Sequence, residues 1–260
     1  MFPKKSLGQN YLIDTNIIKK IIDLKAIVNK NVMEIGPGKG ALTDYILKKK
    51  PKSLILIEKD NFLFQELKLK YKNYKNVLIY NEDILKFNFE KKLKDNSIIY
   101  GNLPYNISSQ ILVKIIKLKN EPPKYSDLIF MFQKEMAERI IGKFNTSKYG
   151  RLSIITNYKL NIFKKFDVSP NCFFPKPKIF STVLYLKPNK KKLIKILKIE
   201  NLEKITNILF SNKRKMINKN IKKILNTDQL NLIKNLDLSS RPSNLKPETY
   251  YKITELFEKD

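Results

Sequence analysis

Residues 31–40 read Asn31-Val32-Met33-Glu34-Ile35-Gly36-Pro37-Gly38-Lys39-Gly40. The first five are strand-like, the next five hold three glycines, and a helical pattern follows over Ala41–Lys49. A strand that feeds a glycine loop and then a helix lets backbone N–H groups approach a ligand closely. A dinucleotide fingerprint would prefer G-x-G-x-x-G, whereas the spacing here is G-x-G-x-G. A plain tight turn would need one or two glycines; this chain has only 7, and three fall within these five residues.

Outward from this loop, β-rich runs alternate with helical patterns. Strands are expected at Ser53–Ile57, Val77–Tyr80, Ile98–Tyr100 and Asp127–Phe132, with helices at Asn61–Tyr71, Ile107–Leu118 and Gln133–Gly142. Further strand-like runs lie near Leu152–Tyr158 and Thr182–Lys187. Strands separated by helices imply an α/β fold with a parallel, doubly wound sheet. After Pro188 only short helices are read: Lys190–Lys198, Leu202–Phe210, Lys215–Leu225, Asp228–Asn235 and Lys246–Phe257. Two domains are therefore expected, 1–188 and 189–260, the second helical.

Ligands of open α/β sheets bind at the carboxyl ends of the strands. Glu58 ends the second strand, where a carboxylate can accept both hydroxyls of a ribose. Asp83 follows the third and can accept from an adenine amine. Asn102 follows the fourth. Each alone is commonly a loop or cap residue; together, after Gly36 and Gly38, they point to an adenosine-type cofactor.

Asn102-Leu103-Pro104-Tyr105 is the sharpest feature. The lone pair of an adenine N6 amine is delocalised into the ring, so the amine is a poor nucleophile. Two acceptors aimed at its hydrogens, the Asn102 side-chain oxygen and the Leu103 carbonyl, would pull the nitrogen toward tetrahedral geometry. Pro104 biases Leu103 to an extended backbone, and Tyr105 offers a ring to an extruded base. The competing reading is a proline turn with a packed tyrosine. In Phe173-Phe174-Pro175-Lys176-Pro177-Lys178 the prolines stiffen a loop. Phe173 is expected to close the second face of the base, Phe174 to be core, and Lys176 and Lys178 to lie near phosphates.

Composition narrows the chemistry. The chain has 260 residues, Lys+Arg 52 against Asp+Glu 24, a net charge of +28, one cysteine (Cys172) and no histidine. One cysteine forms no internal disulfide. Without histidine, Cys/His zinc sites and imidazole-dependent triads are excluded, so catalysis without a metal is expected. An AT-rich genome accounts for Lys in place of Arg but not for scarce acids, so a polyanionic partner is the better reading. From Leu186 to Leu225 there are 13 Lys/Arg and 2 acids, including the runs Lys190-Lys191-Lys192 and Lys213-Arg214-Lys215. The start lacks an export-type apolar region, and no apolar run nears membrane-spanning length; a cytoplasmic protein without a membrane partner is expected.

These motifs resemble the small-subunit ribosomal RNA adenine N6,N6-dimethyltransferases (KsgA type). The resemblance rests on Leu7-Gly8-Gln9-Asn10-Tyr11-Leu12, Glu34–Gly40, Asn102–Asn106, Gln133-Lys134-Glu135 and Tyr149–Ser153. The FFPKPK loop, Lys213-Arg214-Lys215 and Arg241-Pro242 extend it over nearly the whole chain. It implies a class I (Rossmann-like) methyltransferase domain with a small helical C-terminal domain and S-adenosyl-L-methionine as methyl donor. The implied substrate is two adjacent adenosines near the 3′ end of 16S rRNA in a 30S precursor particle. By matching position, Asn10 and Leu12 would contact the donor, Gly36 its methionine part, Glu58 its ribose and Asp83 its adenine, with Asn102 between donor and target. A monomer is expected. Tyr11 stands where Phe is commoner, and Asn157 where Gln would be.

Three rivals remain. A large-subunit (23S) rRNA adenine methyltransferase of the macrolide-resistance type shares the glycine loop and NLPY, but the Lys213-Arg214-Lys215 and Arg241-Pro242 segments favour the small subunit. An NAD-dependent oxidoreductase would leave NLPY and the charge unexplained. A non-enzymatic rRNA-binding assembly factor would not need Asn102, Tyr105 and Asp83.

Overall fold

The computed structural model describes residues 10–190 and 193–259. In chain order the elements are β1 (Tyr11–Leu12), α1 (Thr15–Ile22), β2 (Asn31–Ile35), α2 (Ala41–Lys48), β3 (Ser53–Glu58), α3 (Asn61–Lys70), β4 (Val77–Asn81), α4 (Phe89–Lys92) and β5 (Ser97–Asn102). Then come α5 (Ser108–Ile116), β6 (Tyr125–Gln133), α6 (Lys134–Ile140), α7 (Arg151–Lys159), β7 (Leu160–Val168), β8 (Phe173–Phe174) and β9 (Ser181–Pro188). The remainder is α8 (Ile199–Phe210), α9 (Asn218–Ile221), α10 (Thr227–Asn231) and α11 (Pro247–Phe257).

Seven strands form one sheet in the order β4-β3-β2-β5-β6-β9-β7. β4, β3, β2, β5 and β6 run parallel, and β9 is antiparallel to β6. The sheet is thus mixed rather than wholly parallel. Covered on both faces, β3 and β5 are almost entirely buried, which is why they read as continuous apolar runs. Helix starts are specified locally. Asp14 caps α1 by accepting from the Asn16 and Ile17 amides at 2.9 and 3.0 Å. Asp60 caps α3 by accepting from Phe62 N at 2.9 Å.

The chain divides into two compact units, 1–137 with 162–188 and 138–161 with 189–260. The expected division differs by the segment 138–161, which joins the helical unit because α7 packs on α8 and α11. α7 also corrects the strand expected near Leu152–Tyr158. Its β-branched residues are overridden by an N-terminal cap, in which the Ser153 hydroxyl accepts from Gly150 N at 3.0 Å and donates to Gly150 O at 2.8 Å. Five of its nine residues are buried, so packing rather than propensity decides the conformation. In the same unit, buried tyrosines satisfy their hydroxyls on backbone. Tyr149 donates to Leu245 O at 2.9 Å and Tyr250 to Pro242 O at 2.6 Å.

Three other expectations change. The edge strand β7 and helix α1 were not anticipated. Residues 193–198 are not helical, and Lys191 and Lys192 lie outside the described residues. The helices expected at Lys215–Leu225 and Asp228–Asn235 shrink to α9 and α10.

Candidate active site

β2 is the point at which the strand order reverses, since β3 and β4 lie on one side of it and β5 on the other. A crevice opens at the carboxyl ends of strands at such a point. The register pairs Ile35 with Gly101, so the loop after β2 and the turn after β5 emerge side by side. This topology brings the two motifs together, although Gly40 and Gly101 are 61 positions apart in sequence.

A cavity of about 490 Å3 lies there. Its walls include Asn10, Leu12, Glu34, Gly36, Gly38, Glu58, Asp83 and the Asn102–Tyr105 turn. Gly36, Gly38 and Gly40 adopt φ of 66, 58 and 85°. At Gly40 a Cβ would also collide with the Tyr71 hydroxyl. The G-x-G-x-G spacing is therefore a run of left-handed residues that turns the backbone around the cavity.

Glu58 is 6% exposed. Its Oε1 accepts from Asp60 N at 2.9 Å and its Oε2 from Gly38 N at 3.1 Å, so it ties the glycine loop to the end of β3. Burial raises its carboxyl above the usual range, and the backbone amides of Asp60, Gly38 and Lys59 oppose the shift. A carboxylate has about four lone-pair sites, so these amides leave room for a further donor. Asp83 is held by Lys59 Nζ at 2.8 Å on Oδ2 and by Leu85 N at 2.9 Å on Oδ1. The Lys59 bond keeps this carboxyl below its ordinary range, hence ionised.

The Asn102 side-chain Nδ2 donates to the carbonyl of Asn10 at 2.8 Å. That bond fixes the amide's orientation and leaves Oδ1 as the acceptor the residue can present. Leu103 is buried and anchors the turn. The Tyr105 hydroxyl shares a 2.7 Å hydrogen bond with Ser181 Oγ at the start of β9, and burial keeps the phenol neutral by raising its pKa.

The aromatic loop departs from expectation. β8 pairs antiparallel with β1, Leu12 facing Phe173 and Tyr11 facing Phe174. Phe173 is 3% exposed and belongs to the apolar core, whereas Phe174 is 55% exposed. The expected burial is thus reversed, with Phe173 in the core and Phe174 exposed: successive residues of a strand point to opposite faces, and the core claims Phe173. Phe173 holds β1, and with it Asn10, in place. Cys172 O reinforces this by accepting from Ile13 N at 2.8 Å. Lys176 and Lys178 are exposed in the same unit, while Lys213, Arg214 and Lys215 are exposed in the helical unit.

Glu34 was not anticipated as a site residue. It is 1% exposed, lines the cavity and accepts from the Thr43 hydroxyl at 2.6 Å through Oε2. Burial pushes its carboxyl up to about 8. An acid inside an otherwise apolar strand was the available signal. Nothing in the sequence marked Ser181.

Comparison with known proteins places this geometry. The family described as ribosomal RNA adenine dimethylase matches residues 3–259. Ribosomal RNA small subunit methyltransferase A of Pelagibacter ubique (strain HTCC1062) is 46% identical over 257 residues, covering 98% of this chain and 97% of that protein. The protein of the same name from Malacoplasma penetrans (strain HF-2) is 41% identical, covering 97% of this chain and 91% of its own length. Among solved structures, a dimethyladenosine transferase from Plasmodium falciparum superposes with a TM-score of 0.76 at 27% identity, covering 95% of this chain and 97% of that one. The 23S rRNA methyltransferase ErmE shares the fold, with a TM-score of 0.68 at 21% identity over 95% of this chain and 99% of its own.

Proposed function

Because the chain belongs to the ribosomal RNA adenine dimethylase family, we propose that its cleft methylates N6 of adenosine in small-subunit ribosomal RNA, with S-adenosyl-L-methionine as the methyl donor. The substrate on this reading is a pair of adjacent adenosines in the 3′-terminal hairpin loop of 16S rRNA, each methylated twice within a 30S precursor particle. The chain acts as a cytoplasmic monomer and contributes to small-subunit biogenesis.

The observation that carries the reading is the bond from Asn102 to Asn10, which orients the carboxamide with its oxygen free to accept. The donor fits the cavity. Glu58 offers its remaining lone pairs to the ribose hydroxyls, ionised Asp83 accepts from the adenine amine, and the glycine loop leaves room for the methionine part. When bound, this group supplies an electrophilic methyl on a sulfonium.

The chain's own residues prepare the amine. Asn102 Oδ1 and the Leu103 carbonyl accept hydrogen bonds from the two N6 hydrogens and release the nitrogen lone pair from the ring; the proton displaced from N6 by each methylation is lost to solvent. Their placement is fixed before the substrate arrives, so little reorganisation is needed during reaction. Tyr105, tethered to Ser181, presents its ring to the extruded base. Monomethyladenine keeps one N6 hydrogen and can react again. The dimethyl product keeps none, which ends the sequence without a metal or an imidazole.

Two measurements test this. With labelled donor, label should enter dimethyladenosine of small-subunit particles and not large-subunit rRNA; the opposite distribution would overturn the assignment. Glu58→Ala should weaken donor binding at least tenfold by calorimetry, and an unchanged affinity would remove the ribose role.

A further inference from the structure

Outside the cavity, the segment between β8 and β9 departs from ordinary surface composition. Phe174, Ile179 and Phe180 are 55, 42 and 49% exposed, and Lys176 and Lys178 lie exposed between them. Apolar exposure of this kind, concentrated in one short loop, marks an interaction surface rather than scattered solvent contact. Both phenylalanines have backbones held by hydrogen bonding. Phe174 is the register partner of Tyr11, and Phe180 O accepts from Lys134 N at 2.9 Å. The Lys134 ammonium lies 5.8 Å from the Phe180 ring centroid, and Asp167 Oδ2 accepts from it at 2.8 Å. A backbone already held in place loses little freedom on binding.

The loop is also tied to the chemistry. Ser181, next after Phe180, bonds to Tyr105, and Tyr11, opposite Phe174, lines the cavity. Two exposed aromatic rings that flank two exposed lysines beside the site match the physics of single-stranded nucleic acid, in which bases stack and phosphates pair with cations. The net charge of +28 favours the same partner.

We infer that Phe174 and Phe180 are stacking platforms for the nucleotides that flank the target adenosine, and that they help select which adenosine enters the cleft. The inference rests on the methyltransferase reading above. Lys176 and Lys178 hold the phosphates of the same strand. Tyr105 serves the reacting base, and these two rings serve its neighbours.

The test uses the full-length protein and a synthetic stem-loop RNA with two adjacent adenosines in its loop. Each nucleotide flanking the pair is replaced in turn by an abasic unit, and dissociation constants are measured at one salt concentration. For the wild type, at least one abasic replacement should weaken binding by between about fivefold and a hundredfold, the range for loss of one base–aromatic stack. In Phe174→Leu or Phe180→Leu, which stay apolar and keep the fold, the penalty for the corresponding position should fall to about one. Donor affinity should not change. A wild type indifferent to abasic flanks would overturn the inference, and so would a penalty that persists in both variants. A change in self-association of the variants with the abasic penalty intact would make the patch a protein contact instead. Failure of the wild type to methylate small-subunit particles would sink the underlying function, and that result is separate from all of these.

Discussion

The side chain of Asn102 and the backbone of Asn10, 92 residues apart in sequence, meet across a 2.8 Å hydrogen bond in the wall of the cavity. One amide hydrogen is thereby engaged, which fixes the carboxamide's orientation and presents its oxygen as an acceptor. Asn102→Ala removes both the acceptor and the tie. Turnover should fall by about a hundredfold or more, as for loss of one oriented group that acts on developing charge, while RNA binding stays within about threefold. Single-turnover transfer and a filter-binding titration on one preparation check this; unchanged turnover would refute the role.

Glu34 gives a pH signature. Its carboxyl is raised from 4.5 to about 8 by burial. At low pH both the folded and unfolded chains carry the proton. As pH rises from about 4.5 toward 8, the unfolded chain releases it first, so this group's contribution to stability is lost at up to about 1.4 kcal/mol per pH unit. Glu34→Gln can still accept from Thr43 and does not titrate. The variant should exceed the wild type in stability at pH 8, with the gap shrinking toward pH 5. Denaturant melts across that range decide it, and a gap independent of pH would mean that the buried acid is already ionised.

Phe173 and Phe174 separate a core role from a surface role. Phe173→Ala should cost about 3–5 kcal/mol of folding stability, whereas Phe174→Ala should cost under about 0.5 kcal/mol. Equilibrium unfolding of the two variants provides the comparison. Equal, small losses would contradict the burial of Phe173.

Charge reversal at Lys213, Arg214 and Lys215 tests the helical unit. If these exposed residues grip phosphates, the slope of log affinity against log salt should flatten by about 0.7–0.9 for each contact removed. An unaltered slope would place the RNA elsewhere.

The parallel half of the sheet was legible because Ser53–Glu58 and Ser97–Asn102 are buried on both faces and flanked by turn residues. The acids at the strand ends could be read from the topology rule alone. β7 escaped notice because an exposed edge strand carries Lys164, Lys165 and Asp167 and shows no apolar run. α7 misled because its Ile154-Ile155-Thr156 stretch favours a strand until packing overrules it. The order of Phe173 and Phe174 depends on which strand they join. That partner, Tyr11–Leu12, lies some 160 residues away, and two residues give no periodicity to detect. The contacts of Asn102 with Asn10 and of Tyr105 with Ser181 are likewise products of tertiary folding.

The pairing of β1 with β8 couples events that chemistry alone would keep separate. One strand of this clasp lines the cavity through Tyr11 and Leu12, and the other leads into the exposed aromatic loop. A pull on either strand is transmitted to the other, so occupancy at the two ends should be thermodynamically linked, each reactant tightening the grip on its counterpart.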